Sequence, residues 1–131
     1  MEFALVLSYM VLLGFGTIIS PGVGFFGGIV TMLPQWLTES SHVPAYGFLT
    51  WLLSTGLHRR GWPLCYALFV AGTGAMVFGL WMEIVQESVP GRVVSLEDVI
   101  ANGAGITMVI VLILWYKMLM QPSIWLPKQG T

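Results

Sequence analysis

The chain has 131 residues, of which 56% are hydrophobic and only 8% are charged, and its mean hydropathy is +0.85. A soluble domain carries charge on roughly a quarter of its residues, so this composition excludes an ordinary water-facing surface and favours lipid as the main solvent. The net charge of −1 gives no reason to expect nucleic acid as a partner.

Two segments precede the centre of the chain. An apolar run predicts a first membrane helix over about residues 3–20, stopped by Ser20 and Pro21. We interpret this helix as retained, because Glu2 stands where a secretory signal would carry positive charge. In the glycine-rich segment over residues 21–41, the apolar part, Gly22 to Leu33, is too short to span a membrane, and the rest is polar. We expect it at the outer face, either as an extension of the first helix or along the interface.

Three further membrane helices are predicted, over about residues 42–57, 62–87 and 96–120. Ser41 and Ser95 stand immediately before two of them and are predicted to be their N-caps. The single cysteine, Cys65, lies in an apolar part of the third helix, where we expect a small buried hydrophobe. The predicted fold class is therefore all-α: one integral membrane domain, residues 1–131, with about four transmembrane helices.

Basic residues set the expected orientation of these helices. Four spans place both termini and the second loop on one side of the membrane. That side holds Arg59, Arg60, Lys117 and Lys128, whereas the other side holds Arg92. Because cytoplasmic loops carry the excess of Lys and Arg, we predict that both termini are cytoplasmic.

Polar side chains recur at helical spacing near the opposite, outer face, above glycines on the same helix stripes. In the third helix one stripe consists of Gly72, Gly79, Glu83 and Gln86. Charged groups at membrane depth cost roughly 2.5–3.5 kcal/mol on insertion scales and usually mark function. We therefore predict a ligand-binding or structural polar network around an outward pocket. Its predicted members are His42, Tyr46, Glu83, Gln86, Arg92, Asp98 and Asn102. Glu87 and Glu97 are interpreted as solvated surface residues.

These residues resemble the signature of a known family. The runs 83–92 and 95–105 are similar to those of VanZ-like membrane proteins: a glutamate and a glutamine on one helix, a Pro-Gly-Arg-like turn, then an aspartate and an asparagine leading into a glycine-containing helix. His42 and Tyr46 match the family's histidine and tyrosine, four residues apart. The resemblance covers about residues 38–109. The chain lacks the family's usual basic residue just before the histidine and one later glycine of the last helix.

The resemblance implies a small multi-pass protein of the bacterial cytoplasmic (inner) membrane, with membrane lipids as partners. The founding member of the family is associated with low-level resistance to the glycopeptide teicoplanin. An envelope lipid or a glycopeptide-related headgroup is therefore the expected ligand of the outer-face site. No cofactor is expected, since the sequence carries no motif that would hold one.

Catalysis is a weaker hypothesis than binding. It would use Glu83 or Asp98 as a general base with His42 as its partner and Arg92 as a phosphate anchor. No phosphatase or acyltransferase motif of stricter spacing supports this chemistry. A metal site formed by the same side chains is also a weak hypothesis, because the chain has only 2 histidines and they lie far apart in the sequence.

A second hypothesis belongs to another class of protein. The chain would be a non-catalytic accessory subunit of a larger respiratory or photosynthetic membrane complex. Its polar side chains would then only clamp the helices together, and its apolar outer surface would meet a partner.

Overall fold

A computed structural model of the chain describes residues 2–18, 24–32, 34, 40–89 and 95–120. These residues form five helices and no strand, which confirms the predicted all-α class for this part of the chain. The helices are α1 (Glu2–Ile18), α2 (Gly24–Met32), α3 (His42–Arg59), α4 (Leu64–Glu87) and α5 (Leu96–Met120).

Most helix boundaries lie within two residues of the predicted ones. The glycine-rich segment, for which the sequence left the structure open, contains α2, a helix of 9 residues. Glycine lowers helix propensity by only about 1 kcal/mol relative to alanine, and the other residues of α2 are apolar or small. Most of the remainder of segment 21–41 lies outside the described residues.

Two of the helices, α4 and α5, are long and apolar enough to cross a membrane. They have 24 and 25 residues, with mean hydropathies of 1.7 and 2.0 over their most apolar windows. Only 33% and 17% of those windows are buried inside the bundle, whereas the core helix of a soluble protein is mostly buried. α1 contributes a shorter apolar stretch, Phe3–Gly16. Four spans and the placement of the termini stay predictions.

The centre of the bundle is α3, which packs most extensively against α5, then against α4 and α1. Two glycines let α3 and α5 cross at close range. A Cβ atom added at Gly105 would overlap the backbone carbonyl oxygen of Val43, and one added at Gly47 would lie 3.1 Å from the carbonyl oxygen of Gly105. Small residues permit such close backbone approach between helices in lipid, where no hydrophobic force drives association.

A glycine turn reverses the chain between α3 and α4. Gly61 has a positive φ of 90°, which costs glycine little because it has no Cβ. Its N–H donates to the carbonyl oxygen of His58 at 3.0 Å, and the N–H of Trp62 donates to that of Leu57 at 3.3 Å. This pair of bonds is the Schellman motif. The motif makes α4 antiparallel to α3.

Contacts at both ends of the bundle fix the direction of the other helices. The Arg60 guanidinium lies 5.0 Å from the centroid of the Phe3 ring, and the Tyr9 hydroxyl donates to the Ala45 carbonyl oxygen at 3.0 Å. α1 is therefore antiparallel to α3. α5 is parallel to α3, because His42 meets Asn102 at one end while a groove joins the last turns of both helices at the other.

This arrangement separates charge between the two ends of the bundle. The last turns of α3 and α5 form a basic end that includes Arg59, Arg60 and Lys117. The end of α4 and the start of α5 form an acidic end with Glu83, Glu87, Glu97 and Asp98.

Both predicted N-cap positions are confirmed, but only Ser95 caps its helix with its side chain, and one other local prediction is wrong. The Ser95 hydroxyl accepts the N–H of Glu97 at 3.2 Å, as an N-cap does. Ser41 occupies the N-cap position, but its side chain makes no capping bond, because its backbone is already helical at φ −63° and ψ −23°. The prediction that Cys65 is buried is wrong: the side chain is exposed, although Cys65 shares the stripe of the buried Leu68 and Gly72, because it is the second residue of α4 and stands at the end of the bundle.

Replacing Gly105 by alanine should break the crossing of α3 and α5. The added methyl group would overlap a backbone oxygen, which cannot swing aside as a side chain can. We therefore expect the free energy of unfolding to fall by about 3 kcal/mol, measured by thermal unfolding in detergent. Gly103→Ala on the same helix is the matched control, since its methyl would meet only the flexible end of Met76, at 3.3 Å. An equal loss in both variants would contradict this packing.

Candidate polar site

The α3 part of the predicted site lies in the first turns of that helix. His42 is the first residue of α3, and Tyr46 follows one turn later. Their rings are stacked, with centroids 6.1 Å apart and planes at 11°. Tyr46 is buried, whereas the His42 side chain keeps 13% of its surface exposed. The imidazole therefore stands at the edge of the cluster, with the phenol ring behind it.

The first turns of α5 bring two polar side chains to the His42 ring. Nδ1 of His42 lies 3.0 Å from Oδ1 of Asn102, and Nε2 of His42 lies 3.9 Å from Oδ1 of Asp98. Asn102 is buried, and the Asp98 side chain is 13% exposed. The ring thus links a buried amide to a carboxylate at the rim, one helical turn apart on α5.

The protonation of the His42 ring depends on which way the Asn102 amide points. If the ring donates from Nδ1 to the amide oxygen, an attractive contact of Nε2 with Asp98 requires an imidazolium ion. If the amide is turned, its N–H₂ group donates to Nδ1, and a neutral ring carries its proton on Nε2 beside Asp98. Both arrangements connect the three side chains.

One atom of the Asn102 amide has no hydrogen-bond partner within the described residues. Asn102 is 1% exposed, and its Nδ2 atom is the buried side-chain donor that stays unpaired. If the amide were turned by 180°, its oxygen would take the place of Nδ2 and would then be the atom without a partner. A buried polar group without a partner costs about 1–3 kcal/mol, so this atom is a position where a further partner would be favourable.

The face of α4 toward this cluster is shaped by Gly79. A Cβ atom there would lie 2.8 Å from Nδ2 of Asn102 and 3.0 Å from Cε1 of Tyr46. The absence of a side chain at position 79 lets both groups lie directly against the α4 backbone. Glycine at this position is thus part of the site, as the sequence stripe predicted.

Glu83 and Gln86 continue the same face of α4 toward its end, and both are buried. The backbone N–H of Ser95 donates to Oε2 of Glu83 at 3.4 Å. This bond ties the end of α4 to the residue that caps α5. The carboxylates of Glu83 and Asp98 both lie within electrostatic range of the Tyr46 hydroxyl.

Five of the seven predicted site residues therefore lie together at the acidic end, drawn from three helices: His42, Tyr46, Glu83, Asp98 and Asn102. Gln86 is buried at the same end, on the face of α4 that carries Glu83. The seventh, Arg92, lies outside the described residues, as does its predicted ion pair with Glu87 or Asp98. Glu87 and Glu97 are exposed, in agreement with their interpretation as surface residues.

Two buried polar residues were missed by the sequence interpretation. Thr50 and Ser54 extend the stripe of His42 and Tyr46 along α3 in steps of four residues, and both are buried. The regular spacing was a signal that could have found them. Their hydroxyls donate to carbonyl oxygens of their own helix, those of Tyr46 and Trp51, so they are not poised as nucleophiles beside the imidazole.

The chemistry of this cluster suits binding. It offers a carboxylate and an imidazole at the rim, and an amide with one unpaired atom behind them. Among the described residues, no group of three or more His, Cys, Asp or Glu side chains is placed to hold a metal ion. Comparison of the chain with protein-family models, curated proteins and solved structures finds no match.

Proposed function

We propose that this chain is a multi-pass protein of the bacterial cytoplasmic membrane, of the VanZ-like type, that binds a polar headgroup at its acidic end without catalysing a reaction. The observation that carries the proposal is the Asn102 amide, which is buried where three helices meet and has one atom without a hydrogen-bond partner among the residues that the structure describes. Polar groups buried at membrane depth are costly to retain. A bound ligand would supply the missing partner.

The exposed surface supports a membrane location with several spans. Large apolar side chains are exposed on every helix of the bundle, including Leu12 on α1, Phe69 on α4 and Leu112 on α5. Contiguous apolar surface of this extent is unfavourable in water and favourable in lipid. The separation of charge gives the orientation, because the basic end belongs in the cytoplasm under the positive-inside rule. The polar cluster then faces outward.

The charge at the rim of the cluster indicates which kind of ligand group can bind there. His42 and Asp98 are partly exposed, and the exposed Glu87 and Glu97 stand at the same end of the bundle, in the last turn of α4 and the first turn of α5. An acidic rim attracts cations and repels anions. We propose that the headgroup carries an ammonium group, as an envelope lipid or a glycopeptide-related molecule can, and that Asp98 binds it.

The accessory-subunit hypothesis stays a prediction. The low burial of α5, 17% of its most apolar window, leaves a surface that a partner subunit could cover. Lipid would cover the same surface equally well, whereas a subunit interface gives no reason for the unpaired amide of Asn102. Headgroup binding therefore accounts for more of the described geometry.

The proposed orientation can be tested with single cysteines in a Cys65→Ser background. We expect Ser88→Cys, next to the end of α4, to react with a membrane-impermeant maleimide in intact cells. Trp62→Cys, at the basic end, should react only after the cells are permeabilised. Labelling of both cysteines from the same side would contradict a spanning α4, and the reversed pattern would contradict the orientation.

Removing the carboxylate charges of the cluster, one at the rim and one buried, tests the binding function. Asp98→Asn and Glu83→Gln keep the shape of the side chain but remove a charged hydrogen-bond partner. The loss of such a bond lowers the binding free energy by about 1.5–3 kcal/mol, which corresponds to a tenfold or greater fall in affinity. We expect the teicoplanin concentration that inhibits cells expressing either variant to fall toward that of cells without the protein. Membrane-fraction immunoblots verify equal insertion.

Glu97→Gln is the matched control for this experiment, because Glu97 is exposed in the first turn of α5. It should leave teicoplanin susceptibility unchanged from that of the wild type. Undiminished protection in both site variants would refute the binding site. A wild-type protein that gives no protection would refute the glycopeptide-related ligand.

A further inference from the structure

Two apolar grooves flank α3 in the half of the bundle away from the polar site. The first, between α1 and α3, has a volume of about 500 Å³. The second, between α3 and α5, has a volume of about 580 Å³. Both volumes fall within the range of about 300–1,000 Å³ found for ligand pockets.

A ridge on α3 separates the two grooves and lines both of them. It consists of Phe48, Trp51 and Thr55. The rings of Phe48 and Trp51 are stacked with centroids 5.5 Å apart, and the Thr55 hydroxyl donates to the Trp51 carbonyl oxygen at 2.6 Å. The ridge is thus held by its own contacts, and a molecule that used both grooves would straddle it.

Both grooves end at the basic end of the bundle. Arg59 lines the first groove, and His58 and Lys117 line the second. No acidic side chain lines either groove within the described residues. The two apolar grooves therefore share one cationic end. Together they complement a molecule in which two apolar chains are joined to one anionic group.

We infer that the two grooves bind one anionic diacyl glycerophospholipid, with an acyl chain in each groove and the phosphate held at the shared end by Arg59 and Lys117. The inference rests on the membrane-spanning arrangement proposed above. Basic pockets between membrane helices on the cytoplasmic side recognise anionic headgroups. Arginine binds phosphate oxygens with a planar pair of donors, and lysine adds a point charge.

Purified protein in detergent provides the test, with dioleoyl phosphatidylglycerol as the anionic probe and dioleoyl phosphatidylcholine as the zwitterionic one. Native mass spectrometry measures how much of each lipid stays bound. We expect the wild type to retain phosphatidylglycerol preferentially. Because each basic residue contributes about a factor of five, the double variant Arg59→Gln/Lys117→Gln should weaken that binding by about thirty-fold.

Two matched controls separate the grooves from general attraction to charge. Arg60→Gln removes a positive charge at the same end from a residue that lies outside both grooves and lines a third, smaller groove of about 150 Å³ between α1 and α3. Because this third groove is too small for a ligand of this size, the variant should keep binding near the wild-type level. Leu112→Trp fills the second groove without a change of charge and should weaken binding. Leu114→Trp, exposed on α5 outside the grooves, should leave binding unchanged.

Three outcomes would overturn the inference: equal retention of the two lipids, an effect of Arg60→Gln as large as that of Arg59→Gln alone, or no effect of Leu112→Trp. The measurement involves neither teicoplanin nor the acidic end of the bundle. Its failure is therefore distinguishable from failure of the headgroup site at Asp98.

Discussion

The close crossing of α3 and α5 is the constraint on which the rest of the structure depends. Gly47 and Gly105 bring the two backbones together, and this approach places the start of α3 beside the second turn of α5. His42 can reach Asn102 only because no side chain separates the helices there. In lipid such packing must come from van der Waals contact and hydrogen bonds, since apolar side chains gain nothing by leaving the bilayer. The glycines thus position the polar groups as well as the helices.

The polar cluster forms because each of the three helices that meet there supplies a different group. α3 supplies a ring at the rim, α5 an amide and a carboxylate, and α4 a bare backbone at Gly79 against which the amide lies. Hydrogen bonds in a low-dielectric surrounding are stronger than in water, and an unpaired group is correspondingly more costly. Among the described residues the cluster keeps one amide atom without a partner, an arrangement that suits a ligand better than a helix clamp alone.

Much of this architecture was predictable from spacing alone, and its exceptions have physical reasons. Steps of three and four residues placed Gly79, Glu83 and Gln86 on one buried face, because an apolar helix in lipid marks its packed side by small and polar residues. The same logic does not hold at the helix end: Cys65 lies on the stripe of Leu68 and Gly72 but is exposed, because it stands in the first turn of α4. The hydrogen bonding of the Asn102 amide could not be predicted from the sequence. Whether its Nδ2 atom finds a partner among the described residues depends on the position of three helices to within less than an ångström.

The central claim is the contact between His42 and Asn102 across two helices, and isotope labelling can measure it directly. Asn102 is the single asparagine of the chain, and there are 2 histidines. Oδ1 of Asn102 lies 3.0 Å from Nδ1 of His42, so the adjoining carbonyl carbon lies within about 4 Å of that nitrogen. Solid-state NMR of ¹³C-asparagine, ¹⁵N-histidine protein in bilayers should show strong carbon–nitrogen dephasing, lost in His42→Phe and kept in His58→Phe. Absence of dephasing in the wild type would contradict the account.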